Sequence, residues 1–457
     1  MNVSQPRRIR IANGQGFWGD SVDAPVRLVE EGPLDYLTLD YLAEVTMSIL
    51  QKQKRRDPAR GYATDFVQLI DRILPSLRTK GIKVVANAGG VNPSACRQAL
   101  VEVAEEHQAR GLKIGTVTGD DILDRLEELI ASGVGFENMD DGRPITDVLD
   151  RIVSANVYID SFAIAEALAR GADIVISGRT TDPGLVLSPL IAEYGWKQDQ
   201  WSLLAAGTVG GHVVECGAQC TGGNFSRWWE VDGWDRLGYP VLEFAENGEF
   251  IVTKHDGTGG LVSVDTVSEQ LLYEMGNPKA YLTPDCVVDF TSIQLAQDGK
   301  DRVRVSGIRG GEATGTFKVS IAYLEGYKAT GQLTVSGPDA VAKAKVCADA
   351  LWGRLERAGF TYEKTITELV GLDSCHGQIP GPPPDVHEVV LRVGVKDGDR
   401  AKVDRFGKEL APLVTSGPPG ITGFAGGRPK ATEVLGYWPS LIPKDRIVTH
   451  VDVEEVQ

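Results

Sequence analysis

Short apolar runs alternate with longer amphipathic stretches through the first half of the chain. The runs are rich in β-branched residues and predict buried strands, whereas the stretches between them repeat apolar residues at helical spacing. Strands separated by helices of this length indicate right-handed βαβ units and a parallel sheet. The predicted strands are Arg8–Asn13, Tyr36–Asp40, Lys83–Asn87, Lys113–Thr118, Val157–Asp160 and Asp173–Ser177, and the predicted helices are Leu42–Lys54, Asp65–Lys80, Pro93–Arg110, Asp120–Ser132 and Ser161–Arg170.

After about Phe225 the apolar residues alternate with polar ones at period two, which is typical of half-exposed antiparallel strands. Asn247-Gly248 and Asp298-Gly299 have the composition of hairpin turns. The strands predicted here are Val241–Thr253, Cys286–Ala296, Arg302–Ile308, Thr316–Ala322 and Glu388–Val395, and a helix is predicted over Pro338–Ala358.

These patterns predict an α/β domain over residues 1–225, with a mostly parallel sheet flanked by helices. An α+β domain with mostly antiparallel strands is predicted over residues 226–457. The stretch 416–430 is rich in glycine and proline and is predicted to be a surface loop.

Composition narrows the class of protein. The chain has 457 residues, 42% of them apolar and 24% charged, which is typical of a soluble globular protein with more than one domain. Its net charge of −16 argues against nucleic-acid binding and against binding to anionic membranes. No apolar run is long enough for a membrane span, the start of the chain carries no signal-peptide core, and the six cysteines are scattered. We therefore expect a cytoplasmic protein with reduced thiols, and by base rate a homo-oligomer.

Polar side chains follow the predicted strands where each strand ends. Because a parallel sheet gathers the carboxyl ends of its strands at one edge, where open α/β folds bind ligands, we expect these side chains to form one site. Asp120 and Ser161 have an alternative role as helix caps. The candidate substrate-binding residues are Asn13, Gly14, Asn87, Gly89, Gly90, Thr118, Asp120, Thr180, Thr181 and Asn224.

The loop after the sixth predicted strand, Arg179-Thr180-Thr181-Asp182-Pro183-Gly184, is the most site-like segment of the chain. An arginine at a buried edge needs an anionic partner, which is Asp182 or Asp160 within the fold or a carboxylate or phosphate of a substrate. Neighbouring carboxylates can act as general base and acid when burial raises the pKa of one of them. The candidate catalytic residues are Asp40, Asp160, Asp182 and Arg179.

A glycine run, Gly14-Gln15-Gly16-Phe17-Trp18-Gly19, fits the dinucleotide-binding pattern, with Asp40 in the position to hold a ribose. The bulky Phe17 and Trp18, and the delayed start of the next helix, weaken this interpretation. The alternative is a glycine-rich turn with aromatic packing.

Histidines and cysteines give weaker signals. His212, Cys216 and Cys220 lie at four-residue intervals, but nearby glycines oppose a helix and in a strand the three side chains would lie too far apart to share a metal ion. Cys375-His376 could be a nucleophile and base only if the two side chains met in space, and His255 is either an acid/base group or a polar hairpin tip. We therefore predict no metal site, and we assign no cofactor.

Six motifs in combination resemble the acyclic terpene utilisation (AtuA-like) family, over most of the chain. The resemblance implies a place in the bacterial catabolism of citronellol-type isoprenoid chains, which proceeds through branched acyl-CoA thioesters. The motifs are Ala12-Asn13-Gly14-Gln15-Gly16-Phe17-Trp18-Gly19-Asp20, Leu37-Thr38-Leu39-Asp40-Tyr41-Leu42, Asn87-Ala88-Gly89-Gly90-Val91-Asn92-Pro93, Gly119-Asp120-Asp121, Ile176-Ser177-Gly178-Arg179-Thr180-Thr181-Asp182 and Gly222-Gly223-Asn224-Phe225.

Three functions remain open at this point. The first is a lyase that uses acid/base chemistry, by hydration/dehydration or retro-aldol cleavage, on a branched-chain carboxylate or acyl-CoA. In that case CoA is part of the substrate, and Arg428 and Lys430 of the 416–430 loop could receive one of its phosphates. The second is a non-catalytic binding or assembly subunit of such a pathway. The third is an NAD(P)-dependent oxidoreductase, which rests on the glycine run.

Overall fold

The computed structural model describes residues 8–42, 44–377, 379, 381, 386–423 and 426–457, except the side chain of residue 44. The 416–430 loop therefore lies partly outside the described residues. The strands are β1 (Ile9–Gln15), β2 (Tyr36–Leu39), β3 (Lys83–Ala86), β4 (Lys113–Thr118), β5 (Ile152–Val157), β6 (Ile174–Ser177), β7 (Pro240–Phe244), β8 (Phe250–Lys254), β9 (Tyr281–Leu282), β10 (Val287–Asp289), β11 (Gln294–Gln297), β12 (Val303–Ser306), β13 (Arg309–Gly311), β14 (Thr316–Ser336), β15 (Lys364–Val370), β16 (Glu388–Asp397), β17 (Thr432–Pro443) and β18 (His450–Glu455).

Helices separate most of the early strands. They are α1 (Ala24–Glu31), α2 (Glu44–Arg56), α3 (Thr64–Lys80), α4 (Pro93–Glu106), α5 (Leu126–Ala131), α6 (Phe162–Ala169), α7 (Gly184–Tyr194), α8 (Trp201–Val214), α9 (Val264–Leu272), α10 (Ala340–Arg357), α11 (Arg400–Phe406) and α12 (Leu413–Ser416). The predicted mixture of α and β structure, with several sheets, is confirmed.

A ten-stranded sheet has the order β11-β12-β8-β7-β1-β2-β3-β6-β4-β18. Its central strands β1, β2, β3, β6 and β4 pair in parallel, while β7 and β18 join the two sides of this block antiparallel. The short central strands β2 and β6 are buried at every position, as is typical of strands inside a parallel sheet. The carboxyl ends of five neighbouring strands therefore reach the same edge of the sheet.

Two details differ from the predicted elements. The strand predicted over Val157–Asp160 lies earlier, as β5, and it pairs with β14 rather than with the parallel block. The helix predicted over Asp120–Ser132 is shorter, because a 3₁₀ turn precedes α5. In both places, residues near the carboxyl ends of the strands contact distant parts of the chain and do not continue a regular helix or strand.

The chain divides into two compact units, residues 1–322 with 437–457, and residues 323–436. The predicted boundary near residue 225 coincides with neither division. Strands β7, β8, β12 and β11 extend the ten-stranded sheet, so residues 226–322 remain in the first unit. The unit boundaries fall within β14 and β17.

The second unit has a largely antiparallel sheet in which β16 lies between β15 and β14. Helix α10 forms where it was predicted, and its stripe of Ala344, Cys347 and Leu351 is buried in a core that also contains Leu391 and Val393 of β16. This amphipathic helix on a sheet is stabilised by burial of apolar side chains.

The six cysteines are free thiols, as predicted, and Cys375 alone among them is exposed. Among the described residues, none of the helices has both the length and the apolar character that a membrane crossing requires.

Candidate functional site

The carboxyl ends of β1, β2, β3 and β6 bring Asn13, Asp40, Asn87 and Arg179 to one edge of the sheet, and we call this group with Asp182 the strand-end site. All four of these side chains are buried, with exposed fractions of 0 to 5%. Parallel pairing sets their order, since β1 pairs β2, β2 pairs β3 and β3 pairs β6. Such a concentration of buried polar groups requires internal partners.

Asp40 and Asn87 are direct partners. The Asn87 Nδ2 amide donates to Asp40 Oδ1 at 2.6 Å, the backbone N–H of Leu42 donates to the same oxygen at 3.1 Å, and Asn87 Oδ1 accepts from the backbone N–H of Tyr41 at 2.7 Å. Burial raises the pKa of Asp40 well above its ordinary value, and repulsion by Asp182 adds to this, although Arg179 and the two donors oppose it. Burial therefore favours the protonated form of the Asp40 carboxyl group.

Arg179 is held by protein groups. Both of its terminal nitrogens contact the Asp182 carboxylate, its Nη1 donates to the carbonyl of Leu42 at 3.2 Å, and its guanidinium lies 4.1 Å from the centre of the Tyr158 ring. Its Nε has no hydrogen-bond partner among the described residues. Of the anionic partners predicted for it, the structure contains Asp182. The Asp182 side chain is 35% exposed, so the buried arginine orients a carboxylate that solvent can reach.

Asp120 does not cap a helix, contrary to the alternative weighed for it. Its Oδ2 accepts from the backbone N–H of Arg179 at 2.7 Å and from Asn156 Nδ2 at 3.1 Å. Burial raises the pKa of Asp120 to about 7 against the effect of these donors. The carboxyl group therefore fixes the backbone at the start of the 179–184 loop.

Asp160 lies beside a different buried carboxyl group, that of Asp285. Asp285 accepts from the backbone N–H of Ser161 at 2.9 Å and from its hydroxyl at 2.8 Å, so the Ser161 side chain does not cap α6. Burial raises the pKa of Asp160 and raises that of Asp285 to about 7, with repulsion by Asp160 adding to the latter. Thr180 links the 179–184 loop to the segment that contains Asp160, because its hydroxyl donates to the carbonyl of Ile159 at 3.1 Å.

The predicted substrate-binding glycines contact protein atoms instead. A Cβ at Gly89 would lie 2.6 Å from the carbonyl oxygen of Ser177, and one at Gly90 would collide with Leu50. Gly90 also has a φ of +54°, which favours glycine. These two glycines allow the turn after β3 to pack tightly against its neighbours.

Three other predicted residues have separate surroundings. Thr181 is buried next to Thr180. Thr118 pairs with His450 of β18, on the outer side of the parallel block. Asn224 lines a cavity of about 370 Å³ together with Gln270 and Tyr273, among other residues.

The glycine run after β1 does not fit a dinucleotide. A Cβ at Gly14 would lie 2.8 Å from Cβ of Pro25, and one at Gly16 would lie 2.8 Å from the backbone of Cys216 and Gly217. The space beside both glycines is thus filled by protein, and α1 begins only at Ala24. The glycines serve close packing of the β1 loop against residues 216–217.

The expectation that glycines 210 and 211 exclude a helix at His212 is wrong, because α8 contains all three residues. A Cβ at Gly210 would lie 2.5 Å from the Phe244 ring, and one at Gly211 would collide with Pro183. Close packing of this buried helix therefore outweighs the low helix propensity of glycine. Within the described part of the chain, no three His, Cys, Asp or Glu side chains are placed so that they could hold a metal ion.

The sequence analysis missed Glu215, which follows α8. His212 Nδ1 lies 2.8 Å from Glu215 Oε1; the His212 side chain is buried, and the Glu215 side chain is 12% exposed. Burial and repulsion by Asp182 raise the pKa of Glu215, although His212 opposes this; the pKa of His212 is raised despite its burial, because Glu215 stabilises its charged form. The i, i+3 spacing of His212 and Glu215 would have indicated the pair if the helix had been recognised.

A larger cavity of about 880 Å³ lies elsewhere in the first unit, and we call it the charged groove. None of the predicted site residues lines it. Glu243 in this groove contacts Arg302 at 2.6 Å and Arg10 at 3.2 Å, and Lys254 contacts Asp301 at 3.4 Å. His255 also lines it, packed against Gly32, and burial lowers its pKa. The charges of the groove are largely paired with one another.

Cys375 and His376 are both exposed in the second unit.

Comparison with protein families gives a match to one family model, described as acyclic terpene utilisation family protein AtuA, over residues 9–453. The chain matches no curated protein and no solved structure.

Proposed function

The chain belongs to the acyclic terpene utilisation family AtuA, and on this basis we propose that it is a lyase that uses acid/base chemistry on a branched-chain carboxylate or acyl-CoA. Membership of the family implies a role in acyclic terpene utilisation. The reaction class that we assign is hydration/dehydration or retro-aldol cleavage.

One observation carries this proposal. Asp182 is a partly exposed carboxylate oriented by a buried arginine, and it lies close to Asp40, whose pKa is raised by burial and by Asp182 itself. A base and an acid require two carboxyl groups in different environments. The exposure of Asp182 and its contact with Arg179 support it as the base, and a buried carboxyl group nearby, whose protonated form burial favours, is the acid.

In dehydration, the base takes the proton from the carbon next to the carboxyl or thioester carbonyl. The electron pair of that C–H bond forms the new C=C bond, and the hydroxyl on the next carbon leaves as water after it accepts the proton of the acid. In retro-aldol cleavage, the base takes the hydroxyl proton, the C–C bond breaks to give a carbonyl and an enolate carbon, and that carbon accepts the proton. Neither sequence changes the oxidation state of the protein, and both can run in reverse.

A second candidate, a binding or assembly subunit, has one observation in its favour. Trp228, Trp229 and Trp234 are large apolar side chains with exposed fractions of 61, 64 and 47%. Exposed aromatic residues are enriched at protein interfaces. The candidate predicts loss of pathway activity when a partner chain is withheld. The cytoplasmic location and homo-oligomeric state stay part of our proposal, whereas the filled space at Gly14 and Gly16 leaves the oxidoreductase without support.

The test is dehydration of a branched β-hydroxy acid or hydration of a branched α,β-unsaturated acid. The purified chain is incubated in D₂O with 3-hydroxy-3-methylbutyrate or geranate, each as the free acid and as its CoA thioester, and the products are followed by proton NMR. We expect a vinyl product or α-deuterium from at least one of these probes, and a loss of 10²- to 10⁴-fold in Asp182→Asn. The control is Glu127→Gln, which alters an exposed glutamate of α5. Unchanged turnover in Asp182→Asn would contradict the proposal.

A further inference from the structure

The end of α8 is tied to the strand-end site. Asn13 Nδ2 donates to the carbonyl of Val214 at 2.6 Å and to that of Glu215 at 3.2 Å, while the hydroxyl of Thr38 donates to Asn13 Oδ1 at 3.2 Å. Asn13 thus satisfies carbonyl groups that the last turn of a helix leaves without partners. Its role is to fix Glu215 at the carboxyl end of β1.

His212 is held rigidly beside Glu215. Its ring centre lies 5.5 Å from that of Tyr281 and 5.4 Å from that of Phe290, and Gln270 Nε2 donates to its backbone carbonyl at 3.0 Å. Only 1% of the His212 side chain is exposed. With its ring clamped, Nδ1 lies 2.8 Å from Glu215 Oε1, at ion-pair distance, although neither ring nitrogen makes a hydrogen bond with the described residues. The two groups are close enough to share one proton.

The second carboxyl oxygen of Glu215 makes no hydrogen bond with the described residues. Glu215 Oε2 is buried and has no hydrogen-bond partner among the described residues. A buried polar atom without a partner carries a free-energy penalty, and it indicates a group that is satisfied by something outside the chain. A hydroxyl is the matching donor and acceptor for a carboxyl oxygen in either protonation state.

The ionisable groups that face Glu215 come from several elements. They are His212 on α8, Asp182 after β6, Glu274 after α9, Tyr281 on β9 and Cys216 next in the chain. Burial and these negative neighbours also raise the pKa of Tyr281, so its phenol stays neutral. Asp182 and Glu215 are therefore close enough for their charges to interact, and both follow Arg179 in the chain.

Free hydrogen-bonding capacity separates Glu215 from Asp40, since both groups are largely buried. Asp40 is 5% exposed and its Oδ1 accepts two hydrogen bonds, whereas the Glu215 side chain is 12% exposed and its Oε2 accepts none. We infer that Glu215, oriented by His212, is the acid that protonates the leaving hydroxyl. Asp40 acts through its electrostatic interaction with Asp182 and Arg179. This assignment rests on the proposed function and names its second catalytic residue.

The proton balance is simple. The pair begins with one proton, as carboxyl and neutral imidazole or as carboxylate and imidazolium. The substrate hydroxyl takes that proton from the Glu215 carboxyl group as its C–O bond breaks, and water leaves with the bonding electron pair. The pair is left as carboxylate and neutral imidazole, and Asp182 holds the proton taken from carbon. His212 is a positioning residue because it acts through Glu215.

The experiment compares variants on the probe that the parent chain turns over. We expect Glu215→Gln to lower kcat by 10²- to 10⁴-fold with KM within about threefold, and Asp40→Asn to lower it by less. His212→Asn keeps a donor close to the position of Nδ1 but cannot share a proton, so it should retain more activity than Glu215→Gln and should shift the alkaline limb of the pH profile. Glu127→Gln is the matched control.

Each outcome supports or contradicts the assignment of Glu215 as the acid. If Glu215→Gln keeps kcat within twofold while Asp182→Asn loses it, the assignment of the acid falls and the proposed lyase stands. If the parent chain turns over none of the probes, both fall together. Should Glu215→Gln fail to fold, Glu215→Asp replaces it, because it keeps the charge but withdraws the carboxyl group by one methylene; full kcat in that variant overturns the assignment.

Discussion

The strand-end site and the charged groove both concentrate ionisable side chains in the first unit, but they do so in opposite ways. In the groove, burial alone would raise the pKa of Glu243, yet its contacts with Arg302 and Arg10 lower it overall. In the strand-end site, burial raises the pKa of Asp40, Asp120 and Glu215 above their ordinary values in spite of nearby partners. Cavity volume therefore does not identify the chemistry here: the charged groove contains charges that are paired with one another, whereas the carboxyl groups with raised pKa lie at the polar edge of the sheet.

The largest effect is expected when the cation is removed from each of the two regions. We expect Arg179→Met to lower the free energy of unfolding by about 3 kcal/mol, because it leaves Asp182 without its buried counter-charge. Arg302→Met in the groove should lower it by less than about 1 kcal/mol, since its side chain is 36% exposed. Urea unfolding at pH 7 measures both. Equal losses would contradict the distinction between the two regions.

The second test uses pH. The pKa of Asp120 is raised to about 7 from 3.8, so the stability that its proton provides is complete below about pH 4 and is lost as the pH rises through 7. We expect the free energy of unfolding to fall between pH 4 and pH 7.5 more steeply in the parent chain than in Asp120→Asn, by on the order of 3 kcal/mol. The amide can still accept the bonds from Arg179 and Asn156. Parallel pH dependence in the two chains would place Asp120 in a charged form throughout.

A smaller effect is expected from the glycine run. Gly16→Ala places a Cβ 2.8 Å from the backbone of residues 216 and 217 and should lower the free energy of unfolding by about 1–3 kcal/mol. It should also lower turnover, because Glu215 precedes that segment. The control is Gly276→Ala, where a Cβ would meet nothing within 4 Å. A Gly16→Ala chain with full stability would show that the close approach is not required.

The smallest effect is expected from Glu243→Gln in the groove. Loss of its contacts with Arg10 and Arg302 should change the free energy of unfolding by about 1 kcal/mol at low salt, and this difference should shrink in 1 M NaCl, where charges are screened beyond about 3 Å. Turnover should not change. A large loss of turnover would move the proposed chemistry into the groove.

Most elements of the first half follow from local pattern, because β-branched runs and helical periodicity agree with the final structure. Asn13, Asp40, Asn87 and Arg179 could be grouped from the sequence for the same reason: each follows a parallel strand, and parallel strands end at the same edge. The strand β5 could not be placed, since its pairing with β14 joins segments about 160 residues apart.

The pairing of His212 with Glu215 was missed because glycines 210 and 211 argue against a helix when only local propensity is considered. Their close contacts with Phe244 and Pro183 are tertiary, and tertiary packing decides the conformation of a buried segment. The bond from Ser161 to Asp285 spans 124 residues and likewise leaves no local signal. The partners of a buried carboxyl group are set by the whole fold, which the spacing of residues does not reveal.

The distribution of thiols has a practical consequence. Burial raises the pKa of Cys216 to about 12 and raises the pKa of Cys96, Cys220 and Cys286, so these groups stay protonated and shielded at neutral pH. Cys375 is exposed, and a maleimide dye should therefore attach there selectively. Fluorescence from that single label would report on residues 323–436 alone, in a chain whose strand-end site has not been altered.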